Sequence, residues 1–123
     1  MANLLYTDEY IDVTYIETDE ISTVFAGYGA EVGLEIKNNS DENLRVSAVG
    51  IMVDGVAIEK SELLESFLMP GKKKQTGVHF YYKAFPAGNV KSLSDVKNVT
   101  FSIKYEIGDT GVKKINGPVN IEL

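Results

Sequence analysis

His79 is the only histidine in the chain, so it is the first residue to weigh as a proton shuttle or metal ligand. Both roles need specific partners beside it, and no nucleophile stands near it in the sequence. It reads as a solvent-side strand histidine. Carboxylates come in pairs at Asp8-Glu9, Asp19-Glu20 and Asp41-Glu42. Converging pairs can cleave glycosides or hold calcium, but none shows the alternating Asp-x-Asp-x-Asp-Gly ligand pattern. They read as polar loop residues. Gly27-Tyr28-Gly29 and Gly33 approximate a dinucleotide loop, yet the third glycine comes one position late and the segment leads into a strand. The phosphate needs a helix N-terminus there, so a turn with a tolerated strand glycine is expected. Gly71-Lys72-Lys73-Lys74 lacks the earlier glycine and the Lys-Ser/Thr pair of a phosphate loop. Lysines at such a turn guard a sheet edge. No catalytic residue, no metal ligand and no cofactor is expected.

Aromatic side chains remain. Phe80, Phe101 and Tyr105 fall on core-facing positions. Tyr28, Tyr81 and Phe85 fall on loop or outward positions, where rings stack on sugars or anchor a protein partner. These three are the candidate binding residues. The absence of tryptophan weakens a carbohydrate role. Asn38-x-Ser40 and Asn98-x-Thr100 match glycosylation sequons and read more simply as polar turn and strand residues.

The elements that must position these residues are strands. Ile11, Val13 and Tyr15 alternate with polar residues over 10–18, with 4–6 as a short edge segment and Asp19-Glu20 as an interruption. The Gly27-Tyr28-Gly29 loop then leads into a strand over 30–37, where Val32, Leu34 and Ile36 share a face. Leu44, Val46 and Ala48 have one parity and Val49, Ile51 and Val53 the other. A bulge or bend near 48–50 is expected, or burial on both sides. Asp54-Gly55 suits a two-residue type I′ hairpin. Residues 59–68 carry helical spacing in a stretch barely long enough for a helix. Strands follow at 77–82 and from Val99 to Tyr105, separated by a loop over 85–89 and a turn or single helical turn over 92–97. Gly108 and Gly111 bracket a turn before a terminal strand with Val119, Ile121 and Leu123.

Seven or eight strands at hairpin spacing, without crossover helices, make an all-β antiparallel sandwich. The 123 residues form one domain over 1–123, large enough for an adequate core. No cysteine is present, which excludes disulfides and thiol chemistry within this chain. The net charge of −6 argues against nucleic acid as a partner. No window resembles a membrane span, so no membrane insertion by this segment is expected.

The order of short motifs supports one resemblance. Val32-Gly-Leu-Glu-Ile-Lys-Asn-Asn-Ser-Asp-Glu-Asn-Leu-Arg-Val46 is followed by Val53-Asp54-Gly55, then Met69-Pro70-Gly71-Lys72-Lys73, then Leu93, Val96 and Val99-Thr-Phe-Ser-Ile103. Over roughly 30–106 this resembles an uncharacterised immunoglobulin-like β-sandwich family of extracytoplasmic proteins and lipoproteins from Gram-positive and gut bacteria. Asp54 stands where such domains often carry asparagine. The resemblance implies an Ig-like sandwich outside the cytoplasm, and no reaction. The N-terminal residues have neither the basic nor the apolar region of a secretion signal. The expected location is therefore the envelope or the medium if the native export signal lies outside this sequence, and the cytoplasm otherwise. The expected role is a non-enzymatic interaction or accessory module with an unknown protein or cell-surface partner. A structural spacer or assembly domain, and a small-ligand or glycan-binding sandwich, stand as alternatives.

Overall fold

A computed structural model describes residues 3–25, 27–58, 62–63, 66–85 and 90–123, with backbone only at 62–63. Ten strands are present among them: β1 (Asn3–Thr7), β2 (Ile11–Thr23), β3 (Gly27–Asn38), β4 (Leu44–Val53), β5 (Val56–Ala57), β6 (Glu62–Leu63), β7 (Ser66–Leu68), β8 (Lys73–Tyr81), β9 (Asn98–Ile107) and β10 (Val112–Glu122). The count exceeds the expected seven or eight because β5, β6 and β7 are only two or three residues long. All paired strands are antiparallel.

One sheet has the order β1-β2-β3-β8-β6 and the other β10-β9-β4-β5, with β7 also pairing with β4. Strands β2, β3, β8 and β6 correspond to A, B, E and D of an immunoglobulin-type sandwich, and β4, β9 and β10 to C, F and G. β1 is an addition outside strand A. The core lies between the sheets: Val32, Leu34 and Ile36 of β3 and Val99, Phe101 and Ile103 of β9 are fully buried. Tyr105 joins them at 1% exposure, as strand alternation requires.

The parity change in β4 is a bulge. Val49 pairs with Ser102 and Met52 with Thr100, so two residues face one, and Gly50 takes φ +64°. The extra residue returns Ile51 and Val53 to the face of Leu44 and Val46, all of them buried. Asp54 and Gly55 adopt φ 50° and 81°, as a type I′ turn demands.

Three sequence expectations are corrected, and the open reading of 59–68 is decided. β2 does not stop at Asp19-Glu20 but runs to Thr23. Asp19 points to solvent, while the Glu20 carboxylate accepts bonds from the Tyr82 hydroxyl (2.8 Å) and the Leu93 N–H (3.1 Å), so neither charge breaks the strand. Gly27-Tyr28-Gly29 is the start of β3, paired with β2, because the turn lies two residues earlier. Within 59–68, residues 62–63 and 66–68 are strands instead of a helix. β6 pairs with β8 and β7 with β4, so this segment crosses from one sheet to the other. Finally, β10 starts at Val112, well before Val119, and Leu123 lies just past its end.

Candidate functional site

The three aromatic candidates do not converge. Tyr28 is 68% exposed at the start of β3. Tyr81 ends β8 opposite Gly29, half-buried, with its ring where a Cβ on Gly29 would lie at 2.8 Å. Since Tyr81 faces Gly29, strand alternation sends Tyr28 to the other face of the sheet. Phe85 is not a surface residue. A 3₁₀ turn over Tyr82–Ala84 folds the chain into the end of the sandwich, and Phe85 N–H bonds the Tyr82 carbonyl at 3.1 Å. Its ring is 7% exposed and stands edge-on to Phe80 at 6.1 Å, so it is part of the core.

A different apolar feature occupies that end. Val24 and Phe25 form the turn between β2 and β3, and they are 95% and 92% exposed. Gly27 permits the turn by its φ of +77°. The Lys83 ammonium donates to the Phe25 carbonyl at 2.6 Å, tying the turn to the segment after β8. With Tyr28 beside them, three large apolar side chains extend from one end of the sandwich. The sequence signal was present: two large apolar residues sit where hairpin turns carry Gly, Asn or Asp.

Polar chemistry gathers on the outer face of the first sheet. Asp19, Glu31 and His79 form one cross-strand row on β2, β3 and β8. His79 Nε2 and the Glu31 carboxylate are hydrogen-bonded partners. The next row is a Gly33–Gly77 pair. Gly77 leaves room for Glu31 to bend toward His79, since a Cβ there would lie 2.6 Å from Glu31 Cγ. Gly33 accommodates a bulge in β2, whose Glu17 carbonyl would lie 3.0 Å from a Cβ. The result is an open hollow of about 390 Å³ that Ser66, Lys74 and Thr76 also line. His79 does face outward, and its partner is a carboxylate that the sequence did not assign to it. No group of three or more potential ligands could hold a metal ion among the described residues.

At the opposite end, Asp8 joins the two sheets. Its carboxylate accepts from the hydroxyls of Tyr6 (2.7 Å) and Tyr105 (2.5 Å) and from the N–H groups of Tyr10 (2.7 Å) and Ile11 (2.8 Å). Burial pushes the Asp8 carboxyl up, but the Tyr105 hydroxyl and the other donors outweigh it and hold it below the ordinary carboxylate value. Burial, the bond to Asp8 and its charge push Tyr6 up to about 12. Burial and Asp8 raise Tyr105 as well. Asn38, fully buried, donates to the carbonyls of Glu42 (2.7 Å) and Leu68 (3.0 Å), so its amide is structural and closed to glycosylation.

No protein-family model and no curated protein matches the sequence. Among solved structures, the chain is similar to the yeast GGA1 GAE domain, with a TM-score of 0.46, 10% identity and coverage of 100% of this chain and 98% of that one. The chain is an all-β sandwich of two antiparallel sheets with immunoglobulin-type strand order.

Proposed function

We propose that this domain is a non-enzymatic interaction module that engages a protein partner through the β2–β3 hairpin tip. The exposure of Val24 and Phe25 carries the proposal. Apolar side chains at a turn add nothing to the core, and grouped exposed apolar residues mark contact surfaces. The bond from Lys83 holds the tip in place, which lowers the ordering cost of binding. The pairing of His79 with Glu31 differs from the arrangement in a serine-type triad. In a serine-type triad the acid holds Nδ1 and Nε2 faces the nucleophile, whereas Glu31 takes Nε2. The resemblance to extracytoplasmic Ig-like domains supports a place in the cell envelope or the medium, which fractionation of the source cells tests.

The test of the module itself is photo-crosslinking in those cells, with a photoreactive residue at Phe25 and, as control, at Lys73 on the far end of the sheet. A discrete partner captured from position 25 and not from 73 is the expected result. Equal capture at both positions, or none, refutes the reading.

A further inference from the structure

The chain carries one arginine among its 12 basic residues. Arg45 lies on the outer face of the second sheet, where the register sets Phe67 of β7, Arg45 of β4, Glu106 of β9 and Lys113 of β10 in one cross-strand row. The flanking Leu44, Leu68 and Ile107 are buried, so strand alternation turns this row outward. The carboxylate opposite Arg45 is taken by another cation: Glu106 pairs with the Lys113 ammonium at 3.2 Å. Among the described residues, the Arg45 guanidinium has no hydrogen bond, ion pair or ring contact. Beside it, Phe67 is 54% exposed.

Arg45, Phe67 and Glu106 line an open hollow of about 480 Å³, whose wall is completed by Asn43 and by Gly108, Asp109 and Gly111 of the turn before β10. An uncommitted guanidinium thus stands in a hollow beside an exposed ring. The chain uses lysine at every other basic position. What arginine adds is a planar fork that grips an oxyanion through two parallel bonds. The surrounding charge limits which oxyanion. Asp109 lines the hollow, and Glu42 lies against Gly108, where an added Cβ would stand 2.8 Å from Glu42 Oε2. These carboxylates oppose a dianion, so a singly charged carboxylate fits better than a phosphate.

We infer that this hollow takes the C-terminal carboxylate of a partner protein, with the Arg45 guanidinium holding both oxygens and Phe67 packing on an apolar last side chain. At Arg45, β4 is paired on both sides, with β7 and with β9, so it offers no backbone edge to a passing segment. A terminal residue brings its carboxylate and its apolar side chain to the hollow together. An internal glutamate holds its carboxylate at the end of a flexible stem, away from its apolar neighbours. Asn3 of β1 lies on the other sheet, and Leu123, whose N–H bonds the Lys97 carbonyl, lies at the far end of the sandwich. The inference rests on the interaction-module reading and deepens it by naming a second contact and the end group it recognises.

The probe is the peptide acetyl-Gly-Ser-Val with a free carboxylate, titrated into ¹⁵N-labelled protein. As the only arginine, Arg45 gives a single Nε–H signal that reads the site directly. The acid should shift that signal saturably, and its C-terminal amide should bind at least about tenfold more weakly. R45K should weaken the acid about tenfold, because an ammonium lacks the planar fork. F67S should remove the preference for valine over glycine at the last position. D109N should tighten binding about threefold by removing a like charge, a gain that a merely structural residue would not give. Unchanged melting temperatures show that the variants are folded. Equal binding of the amide, stronger binding of inorganic phosphate or of an amidated peptide with an internal glutamate, or no movement of the Nε–H signal overturns the inference. If position 25 still captures a partner, only this contact has failed; if neither site responds, the module reading fails too.

Discussion

At the residue scale, Asp8 is a polar link between the sheets beside the apolar core. One carboxylate accepts two tyrosine hydroxyls and two backbone N–H groups drawn from β1, the following turn, β2 and β9. Asp8→Ala leaves these donors without their charged acceptor, and unfolding in urea should show a loss of about 2–3 kcal/mol. The same cluster gives stability two pH limits. Asp8 has a lowered folded pKa, so its contribution is present above the unfolded carboxylate value and is lost as pH falls through the folded one. Tyr6 has a folded pKa raised to about 12, so its contribution is intact below about 10 and is lost as pH rises from there toward 12. Melting temperature followed against pH should fall at both ends, and Asp8→Asn should flatten the acid limb. Phe85 makes the complementary case. Its burial against Phe80 predicts that Phe85→Ala costs about 3–5 kcal/mol, whereas a surface aromatic would cost almost nothing.

At the element scale, strand irregularities do the positioning. The β4 bulge reverses facing so that one strand buries both Val46 and Ile51, and its place was legible from the parity change between Ala48 and Val49. The bulge in β2 was not legible, because Ile16 and Glu17 leave no clear parity signal. The reason Gly29 must be glycine was equally hidden. A Cβ there would stand 2.2 Å from the Phe80 carbonyl oxygen, on the strand that β3 must pair with. Gly29→Ala should separate β3 from β8 locally and lower stability by about 3 kcal/mol. Hydrogen exchange should show the loss of protection concentrated at Phe80 and Tyr81. The Asp54 carboxylate, beyond setting its own turn, accepts the N–H groups of Lys97 (3.0 Å) and Asn98 (2.8 Å) and so fixes where β9 begins.

At the scale of the whole molecule, stability and recognition occupy different places. The core and the Asp8 cluster hold the sheets together, while Val24 and Phe25 project from the far end and contact little. The double variant V24S/F25S should therefore change stability by less than about 0.5 kcal/mol while abolishing capture of a partner at the tip. A large fall in melting temperature would assign these residues to the fold instead. Near pH 4.7, where the net charge vanishes, solubility should reach a minimum although Asp8 is still ionised. Light scattering read beside circular dichroism separates that association from unfolding at lower pH.

The sandwich class was written in the alternation of Val32, Leu34 and Ile36 and of Val99 through Tyr105, because a period of two has one structural meaning. The Asp54-Gly55 turn and the bulge in β4 were equally local, set by backbone angles and parity that a few residues carry. The site was not local. Tyr28 and Phe85 looked alike in sequence, but one is exposed and the other buried, because a 3₁₀ turn after β8 folds Phe85 inward. His79 meets Glu31, forty-eight residues away, only through the register of β3 and β8. Asp8 meets Tyr105 across ninety-seven residues through the stacking of the sheets. Periodicity states which side of a strand faces inward; only the tertiary structure decides which strands stand next to each other, and therefore which side chains meet.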